Sequence, residues 1–226
     1  MAAPGGGGPV LILGLDTALA HCSAALWRDG RVLAKRSLAM ERGHSESLMP
    51  MVEEVVTQAA AAWADVDRIA TTLGPGSFTG VRIALAAARG FALACGARLV
   101  GVTTTQVAAF RALPAAEGRA ILAVVDAGRA DLFVQSFGPD LAERSAVAAL
   151  SPEAAAAALS GEAMLIAGNG APRLRPFLAG RRDIAFAEGL ADAADVAALG
   201  ALLKPQDQAA APVYVHPPYA KLPGGR

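Results

Sequence analysis

The chain of 226 residues has only two cysteines, few aromatic residues and no excess of either charge. Cys22 and Cys95 lie far apart, which excludes a disulfide framework and a cysteine-based zinc cluster and predicts a reducing compartment. Lys plus Arg and Asp plus Glu both number 20, so there is no global basic field to hold nucleic acid. Aromatic residues make up 5%, too few to favour a surface on which bases stack. These shortages disfavour a direct RNA-binding module.

No signal peptide or membrane span is predicted from the sequence. Residues 1–9 are rich in glycine, lack a basic segment and predict a disordered N-terminal tail. The apolar residues 10–15 are too few, and too interrupted by glycine, for the core of a signal sequence. The stretch 83–93 contains Arg89 and is shorter than a bilayer requires. We therefore expect a soluble, cytoplasmic protein with no membrane partner.

The chain is 54% hydrophobic and 18% charged, which predicts a globular protein with a substantial core. Its apolar runs and turn residues predict one order of elements twice, and both repeats open with a buried strand that ends in an acid, Asp16 or Asp126. The predicted strands lie at 10–16, 21–27, 31–38, 69–73, 97–102, 119–126, 131–137, within 141–150, and at 163–167 and 184–187. The predicted helices lie at 46–61, 78–95, 103–113, from 152, after 172 and at 192–203.

This repeated order, βββαβα(βα), predicts an α/β protein with a duplicated ribonuclease-H-like (actin-like ATPase, ASKHA) fold, each lobe built on a mixed sheet. We expect an N-terminal lobe at 10–113 and a smaller, degenerate lobe at 114–226. Proteins of this architecture hold a nucleotide between their lobes. Because the fold hosts several activities, function has to be argued from particular residues.

The segment Gly74-Pro-Gly-Ser-Phe-Thr-Gly-Val-Arg82 joins a predicted strand to a predicted helix, with Ser77 as its N-cap. The free N–H groups and the dipole at a helix N-terminus suit a phosphate. However, the segment matches neither a Walker A loop nor G-x-G-x-x-G. The alternative for this segment is a tight connection between strand and helix that binds no ligand. The alternative for Asp16 and Asp126 is that each acid only caps a turn at the end of its strand. The candidate nucleotide- or phosphate-facing residues are Asp16, Thr17, Gly74, Gly76, Ser77 and Asp126.

The order of motifs along the chain resembles the TsaB (YeaZ) family of bacterial proteins of tRNA threonylcarbamoyladenosine (t6A) synthesis. The resemblance is dense from residue 10 to about 110 and sparse until Pro212. The segment 74–82 is its most specific part. The motifs are Leu13-Gly-Leu-Asp-Thr17, Cys22-Ser-Ala-Ala-Leu-Trp27, Arg42-Gly-His-Ser-Glu46 with Leu48 and Pro50, Gly74 to Arg82, Gly101-Val-Thr-Thr104 and Pro212-Val-Tyr-Val215.

The resemblance implies a non-catalytic subunit. TsaB is similar to TsaD, the transferase that acts on adenosine 37 of tRNA and carries H-x-x-x-H after a Gly-Val strand end. The matching positions here are Thr104 and Ala108, so the expected pair of metal-binding imidazoles is absent. The family therefore implies partners, a TsaD-like transferase and a TsaE-like ATPase, with tRNA reached indirectly through the complex. No cofactor is required, and ATP or ADP is a candidate ligand at the cleft or at the partner interface.

The resemblance also implies a surface that forms homodimers or, alternatively, binds TsaD, built by the predicted helices 46–61 and 78–95. Small residues at helical spacing on the second helix allow close approach by another helix. The alternative interpretation is packing inside the domain. The candidate interface residues are His44, Leu48, Met51, Val55, Gly80, Ala84, Ala87 and Ala88.

The sequence departs from the family at two arginines. Asp126-Ala-Gly-Arg129 has its arginine displaced by one residue, and His216 stands where an arginine is usual. Two enzymatic alternatives remain open. A weak ATPase or small-molecule kinase is disfavoured because no lysine or second acid lies near Asp16. An M22-type metallopeptidase is disfavoured by the missing H-x-x-x-H.

Overall fold

The computed structural model describes residues 10–205 and 211–215, so the predicted tail 1–9 and His216 lie outside the described residues. The first of its two sheets has the strand order β3-β2-β1-β4-β5. β1 pairs antiparallel with β2 and parallel with β4, and β2 continues antiparallel to β3. The strands are β1 (Leu11–Asp16), β2 (His21–Arg28), β3 (Arg31–Ala39), β4 (Arg68–Thr72) and β5 (Arg98–Val102).

The second sheet repeats the first. Its order is β8-β7-β6-β9-β10, with β6 antiparallel to β7 and parallel to β9, as β1 is to β2 and β4. The predicted duplicated α/β fold with two mixed sheets is thus confirmed. The strands are β6 (Ala120–Val125), β7 (Leu132–Phe137), β8 (Ala148–Leu150), β9 (Met164–Gly168) and β10 (Ile184–Glu188).

Each sheet is covered on both faces because alternate strand residues point to opposite sides. On the first sheet, α1 and α2 cover one face and α6 the other. On the second, α4 and α5 cover one face and α3 the other. We call each sheet with its helices a lobe. The helices are α1 (His44–Gln58), α2 (Phe78–Cys95), α3 (Thr104–Ala116), α4 (Pro152–Ala157), α5 (Ala171–Leu174) and α6 (Ala193–Leu202).

The last helix of each repeat crosses to the other sheet. α3 leaves the first sheet and packs on β6 and β9, while α6 leaves the second sheet and packs on β1, β2 and β4. α6 approaches β1 so closely that a Cβ on Gly14 would overlap the Ala193 carbonyl oxygen. The predicted lobe boundary at 113 lies within α3, and the division into 10–113 and 114–226 stays a prediction.

Local signals in the sequence are mostly confirmed. Asp29 and Gly30 have positive φ in the β2–β3 hairpin, as an Asp-Gly turn requires. Thr103 forms a capping box at the start of α3. The strand expected within 141–150 is only β8, and α1 begins at His44 with Gly43 as its N-cap, two residues earlier than predicted.

Candidate functional site

The glycine segment between β4 and α2 is packed against the turn that follows β1. Ser77 N donates to Ala18 O at 2.7 Å, and Thr17 Oγ1 donates to the Gly80 carbonyl at 2.7 Å. A Cβ on Gly76 would overlap the Ala18 carbonyl, and one on Gly80 would overlap that of Thr17. The glycines are therefore required by the close approach of two backbones.

The Ser77 side chain caps α2, as predicted, by accepting a hydrogen bond from Gly80 N at 3.3 Å. The Gly74 carbonyl accepts from Thr104 N at 2.8 Å, and Leu73 O accepts from Val213 N at 2.8 Å. The segment thus joins β1, α2, α3 and residues 211–215. Its predicted phosphate-facing role stays a prediction, and these internal bonds favour the ligand-free alternative.

The Asp16 carboxylate is buried at the end of β1 and engaged by the protein. Its Oδ1 accepts from the Thr72 hydroxyl at 2.7 Å and from Ala18 N at 2.9 Å. His21 Nε2 lies 3.1 Å from Oδ2, at ion-pair distance. A carboxylate that binds Mg²⁺ keeps oxygens open to the metal, whereas both oxygens here face protein partners.

Burial by itself lowers the pKa of His21, but the Asp16 carboxylate and the charge of Asp192 outweigh it, so the pKa is raised above its ordinary value. Neither ring nitrogen makes a well-aligned hydrogen bond within the described part of the chain. The His21–Asp16 contact is therefore mainly electrostatic. Burial next to Asp16 also raises the pKa of the Cys22 thiol to about 11, which makes Cys22 a packing residue and not a nucleophile.

Asp126, the equivalent acid of the second lobe, holds its own loop together. Its carboxylate accepts from Gly128 N at 2.8 Å and lies 3.2 Å from Arg173 Nη1. Its backbone exchanges two hydrogen bonds with the Asn169 side chain, at 3.0 and 2.8 Å. Arg173 also donates to the Arg129 carbonyl at 2.8 Å. The displaced Arg129 takes part in these hydrogen bonds only through its backbone carbonyl, and not through its guanidinium.

The space between the ends of β1 and β6 is almost closed. The cavity there measures about 10 Å³, which is room for one water molecule and far too little for a nucleotide. Apolar side chains from both lobes fill the rest: Ala18 and Leu19 meet Val125 and Phe133, with Leu190 beside them. The two lobes are therefore in apolar contact between the ends of β1 and β6.

Thr104 and Ala108, the positions of the absent histidine pair, both line this small cavity. They lie one turn apart at the start of α3, and the Thr104 hydroxyl has no hydrogen-bond partner within the described residues. Residues 10–205 and 211–215 contain no group of three His, Cys, Asp or Glu side chains that could hold a metal ion.

Most of the candidate interface residues are buried in the first lobe, which favours the alternative of packing inside the domain, and their role at a partner interface stays a prediction. Helical spacing identified the apolar face of each helix, and that face packs on the sheet. His44 and Ala87 are half-buried, and the His44 Nε2 lies 3.3 Å from the Leu19 carbonyl. The buried members of the set are Leu48, Met51, Val55, Gly80, Ala84 and Ala88.

The opposite face of α2 is exposed and combines apolar side chains with two arginines. Leu93 is 87% exposed and Phe78 44% exposed, with Ala86 between them. Arg82 stacks over the Phe78 ring at 3.4 Å, and its Nε donates to the Tyr214 hydroxyl at 3.1 Å. We call Phe78, Arg82, Ala86, Arg89 and Leu93 the outer face of α2.

The chain is similar in sequence and structure to known proteins of t6A synthesis. A family model described as TsaD, tRNA N6-adenosine threonylcarbamoyltransferase, matches residues 32–139. TsaB of Escherichia coli K12, a tRNA threonylcarbamoyladenosine biosynthesis protein, is 36% identical over 129 residues, which are 57% of this chain and 55% of the relative. The solved structure of YeaZ from Pseudomonas aeruginosa has a TM-score of 0.75 and 29% identity, covering 91% of this chain and 99% of the other.

In sequence and in fold, the chain is similar to the TsaB (YeaZ) proteins of the actin-like ATPase superfamily. It spans about half the length of the curated relatives that it matches. A more distant structure, the PilM–PilN type IV pilus biogenesis complex, has a TM-score of 0.51 at 13% identity and shows the fold alone.

Some residues around Asp16 and on α2 were not predicted from the sequence. Thr72 and His21 complete the surroundings of Asp16, although Thr72 is 56 residues away in the chain. The outer face of α2 had a readable signal, because Phe78, Arg82, Arg89 and Leu93 are out of helical phase with the buried Ala84 and Ala88.

Proposed function

We propose that this chain is a non-catalytic partner subunit in the formation of t6A in tRNA, and that it binds a TsaD-like transferase. The outer face of α2 is the observation that carries the proposal. On this face, apolar side chains of a long helix are not covered by the rest of the chain. The relatives of the chain are named for t6A biosynthesis. Exposed apolar patches of this kind mark interaction surfaces.

α2 is unusually apolar for a helix in which eight of 18 residues are exposed and only five are buried. It has 18 residues and a mean hydropathy of 1.4, which meets the length and composition of a membrane span, and only 28% of it is buried. Its inner face packs on β4 and its first turn is bonded to Thr17, so the helix is anchored in the fold. A protein partner that buries Leu93 and Phe78 would explain why a helix anchored in the fold has so many apolar residues.

The closed cleft supports a role without catalysis. Asp16 is bound by Thr72 and His21, and the neighbouring cavity holds no nucleotide-sized space. We place any nucleotide that this protein serves at its interface with a partner. When it is alone, the chain forms a homodimer through the outer face of α2. When TsaD is present, the chain helps a TsaE-like ATPase to join the complex. It reaches tRNA only through that complex, in the cytoplasm.

The test is a pair of matched charge substitutions. Leu93→Asp puts a carboxylate in the last turn of α2, on the outer face, and Leu202→Asp makes the same change in the last turn of α6, where the leucine is 67% exposed. Co-purification with the TsaD-like transferase of the same cell, followed by a t6A assay with the TsaE-like ATPase, reads out both. We expect Leu93→Asp to weaken transferase binding at least about tenfold, since burying an unpaired charge costs several kcal/mol.

Leu202→Asp should bind and support modification as the unchanged chain does. Full t6A formation by the transferase and ATPase without this chain would overturn the proposed function. Equal binding by Leu93→Asp and the unchanged chain would overturn the assignment of the surface. Magnesium-dependent ATP hydrolysis by this chain alone, lost in Asp16→Asn, would favour the ATPase alternative.

A further inference from the structure

The second lobe contains a pocket that the proposed function does not use. Its volume is about 340 Å³, and it lies between β7, β8 and α4. The floor is apolar, formed by Leu122, Val134, Leu150 and Met164. Ligand sites begin at about 300 Å³ and are mostly apolar with a few placed polar groups. The pocket meets both criteria.

The pocket exists because α4 is short and made of small residues. Its sequence after Pro152 and Glu153 is a run of alanines, and the first large apolar side chain is Leu159. In the first lobe the equivalent helix fills the same position with Leu48, Met51 and Val55. Alanine side chains are too short to fill the space above Leu122 and Val134, so the space stays open at one end.

One ion pair stands at the open end. Arg144 Nη1 donates to both carboxylate oxygens of Glu162, at 2.8 and 3.0 Å. Because both bonds use one nitrogen, Arg144 Nε and Nη2 lie outside the pair. The Ser145 hydroxyl accepts a hydrogen bond from Ser136 N at 3.0 Å, which leaves its own proton to donate. A guanidinium edge, a hydroxyl and a carboxylate thus surround the entrance to an apolar cavity.

We propose that this pocket binds a zwitterionic α-amino acid with an apolar side chain. The ligand carboxylate lies against the free edge of Arg144, because guanidinium matches carboxylate in planar geometry. Its ammonium group lies against Glu162, and its side chain enters toward Met164. A zwitterion fits the neutral Arg144–Glu162 pair without leaving either charge unmatched. The volume of about 340 Å³ lies at the small end of the range for ligand sites, which suits a small ligand such as leucine.

Methyl NMR on the unchanged chain tests the proposal directly. The sequence has five methionines, of which Met164 lines the pocket and Met51 is buried in the first lobe. We expect leucine to shift the Met164 methyl signal, with millimolar or tighter affinity, and to leave Met51 in place. 4-Methylpentanoate lacks the ammonium and 3-methylbutylamine lacks the carboxylate, so each should bind at least about tenfold more weakly. No shift of Met164, or equal binding of leucine and 4-methylpentanoate, would falsify the proposal.

Two substitutions separate the two parts of the site. Ala148→Leu fills the pocket from β8 and should abolish the Met164 shift. Glu162→Gln should weaken leucine about tenfold while leaving 4-methylpentanoate at least as tight, since it removes the partner of the ammonium and frees Arg144 from its ion pair. Glu41→Gln, at an exposed acid in the other lobe, is the control and should change neither. If Ala148→Leu fails to fold, Glu162→Gln decides, because its side chain is exposed. Unchanged selectivity in Glu162→Gln would overturn the assignment. The proposal does not depend on a role in t6A formation.

Discussion

Between β3 and β4 the first lobe has α1 with 15 residues, whereas the equivalent connection of the second lobe has α4 with six. The next pair differs more: α2 has 18 residues and its counterpart α5 has four. The sheets beneath them have the same strand order. One topology therefore supports two kinds of surface. Long helices leave an apolar outer face over the first sheet, and short ones leave a pocket over the second.

The acids at the equivalent strand ends also differ. Asp16 is buried with His21, whose charge depends on pH near neutrality, whereas Asp126 is partly exposed and pairs with Arg173, which stays charged. The first arrangement therefore couples stability to pH near neutrality. Neither acid is left open to solvent cations in the way that a catalytic metal ligand would be.

The different covering of the two sheets should have its largest effect on stability when a large apolar side chain is truncated. Leu48→Ala removes a fully buried side chain from beneath α1 and should lower the free energy of unfolding by about 4 kcal/mol. Leu159→Ala removes a half-buried side chain that already lines the pocket and should cost about 1 kcal/mol. Urea denaturation measures both. Equal costs would show that the second lobe is packed as tightly as the first.

A smaller effect is expected at the joint between β1 and α2. Gly80→Ala forces a methyl group against the Thr17 carbonyl and should lower the free energy of unfolding by about 2 to 3 kcal/mol. Gly90→Ala is the matched control in the same helix, where nothing lies within 4 Å of an added Cβ. It should raise stability by up to about 1 kcal/mol through helix propensity. The prediction fails if thermal unfolding ranks the two variants in the opposite order.

The smallest effect is the dependence of stability on pH. Since the pKa of His21 is raised in the folded state, its charge stabilises the protein fully below its unfolded pKa of about 6.5, and this contribution is lost as pH rises through the folded pKa. The stability difference between the unchanged chain and His21→Gln should therefore shrink from pH 5.5 to pH 8. Its slope cannot exceed about 1.4 kcal/mol per pH unit, because one proton is involved. A difference that is constant over this range would contradict the ion pair.

Much of the fold follows from local signals in the sequence. The Asp29-Gly30 hairpin, the Ser77 cap and the capping box of α3 each involve residues within a few positions of one another, and all three are present. The start of α1 was misplaced because the Ser45 side chain bonds to Glu46, while Gly43 begins the helix through its carbonyl.

The site was less predictable because its contacts join distant segments. The bonds between Asp16 and Thr72, and between Thr17 and Gly80, depend on how two strands and a helix meet. Periodicity grouped the apolar residues on one face of α1 and of α2 but did not say whether the sheet or a partner covers that face. The candidate interface residues were therefore taken from the face that the sheet covers, and the exposed Leu93 and Phe78 were not among them.

The exchange of α3 and α6 between the sheets has a consequence for synthesis on the ribosome. When β1, β4 and β5 have been made, the face that carries Ile12, Ala70 and Val100 still lacks α6, which begins about ninety residues later. At roughly 5 to 20 residues per second, this apolar face waits for at least several seconds. The nascent first sheet is thus a natural client for chaperones, and it is completed only when Val196 and Leu199 have emerged.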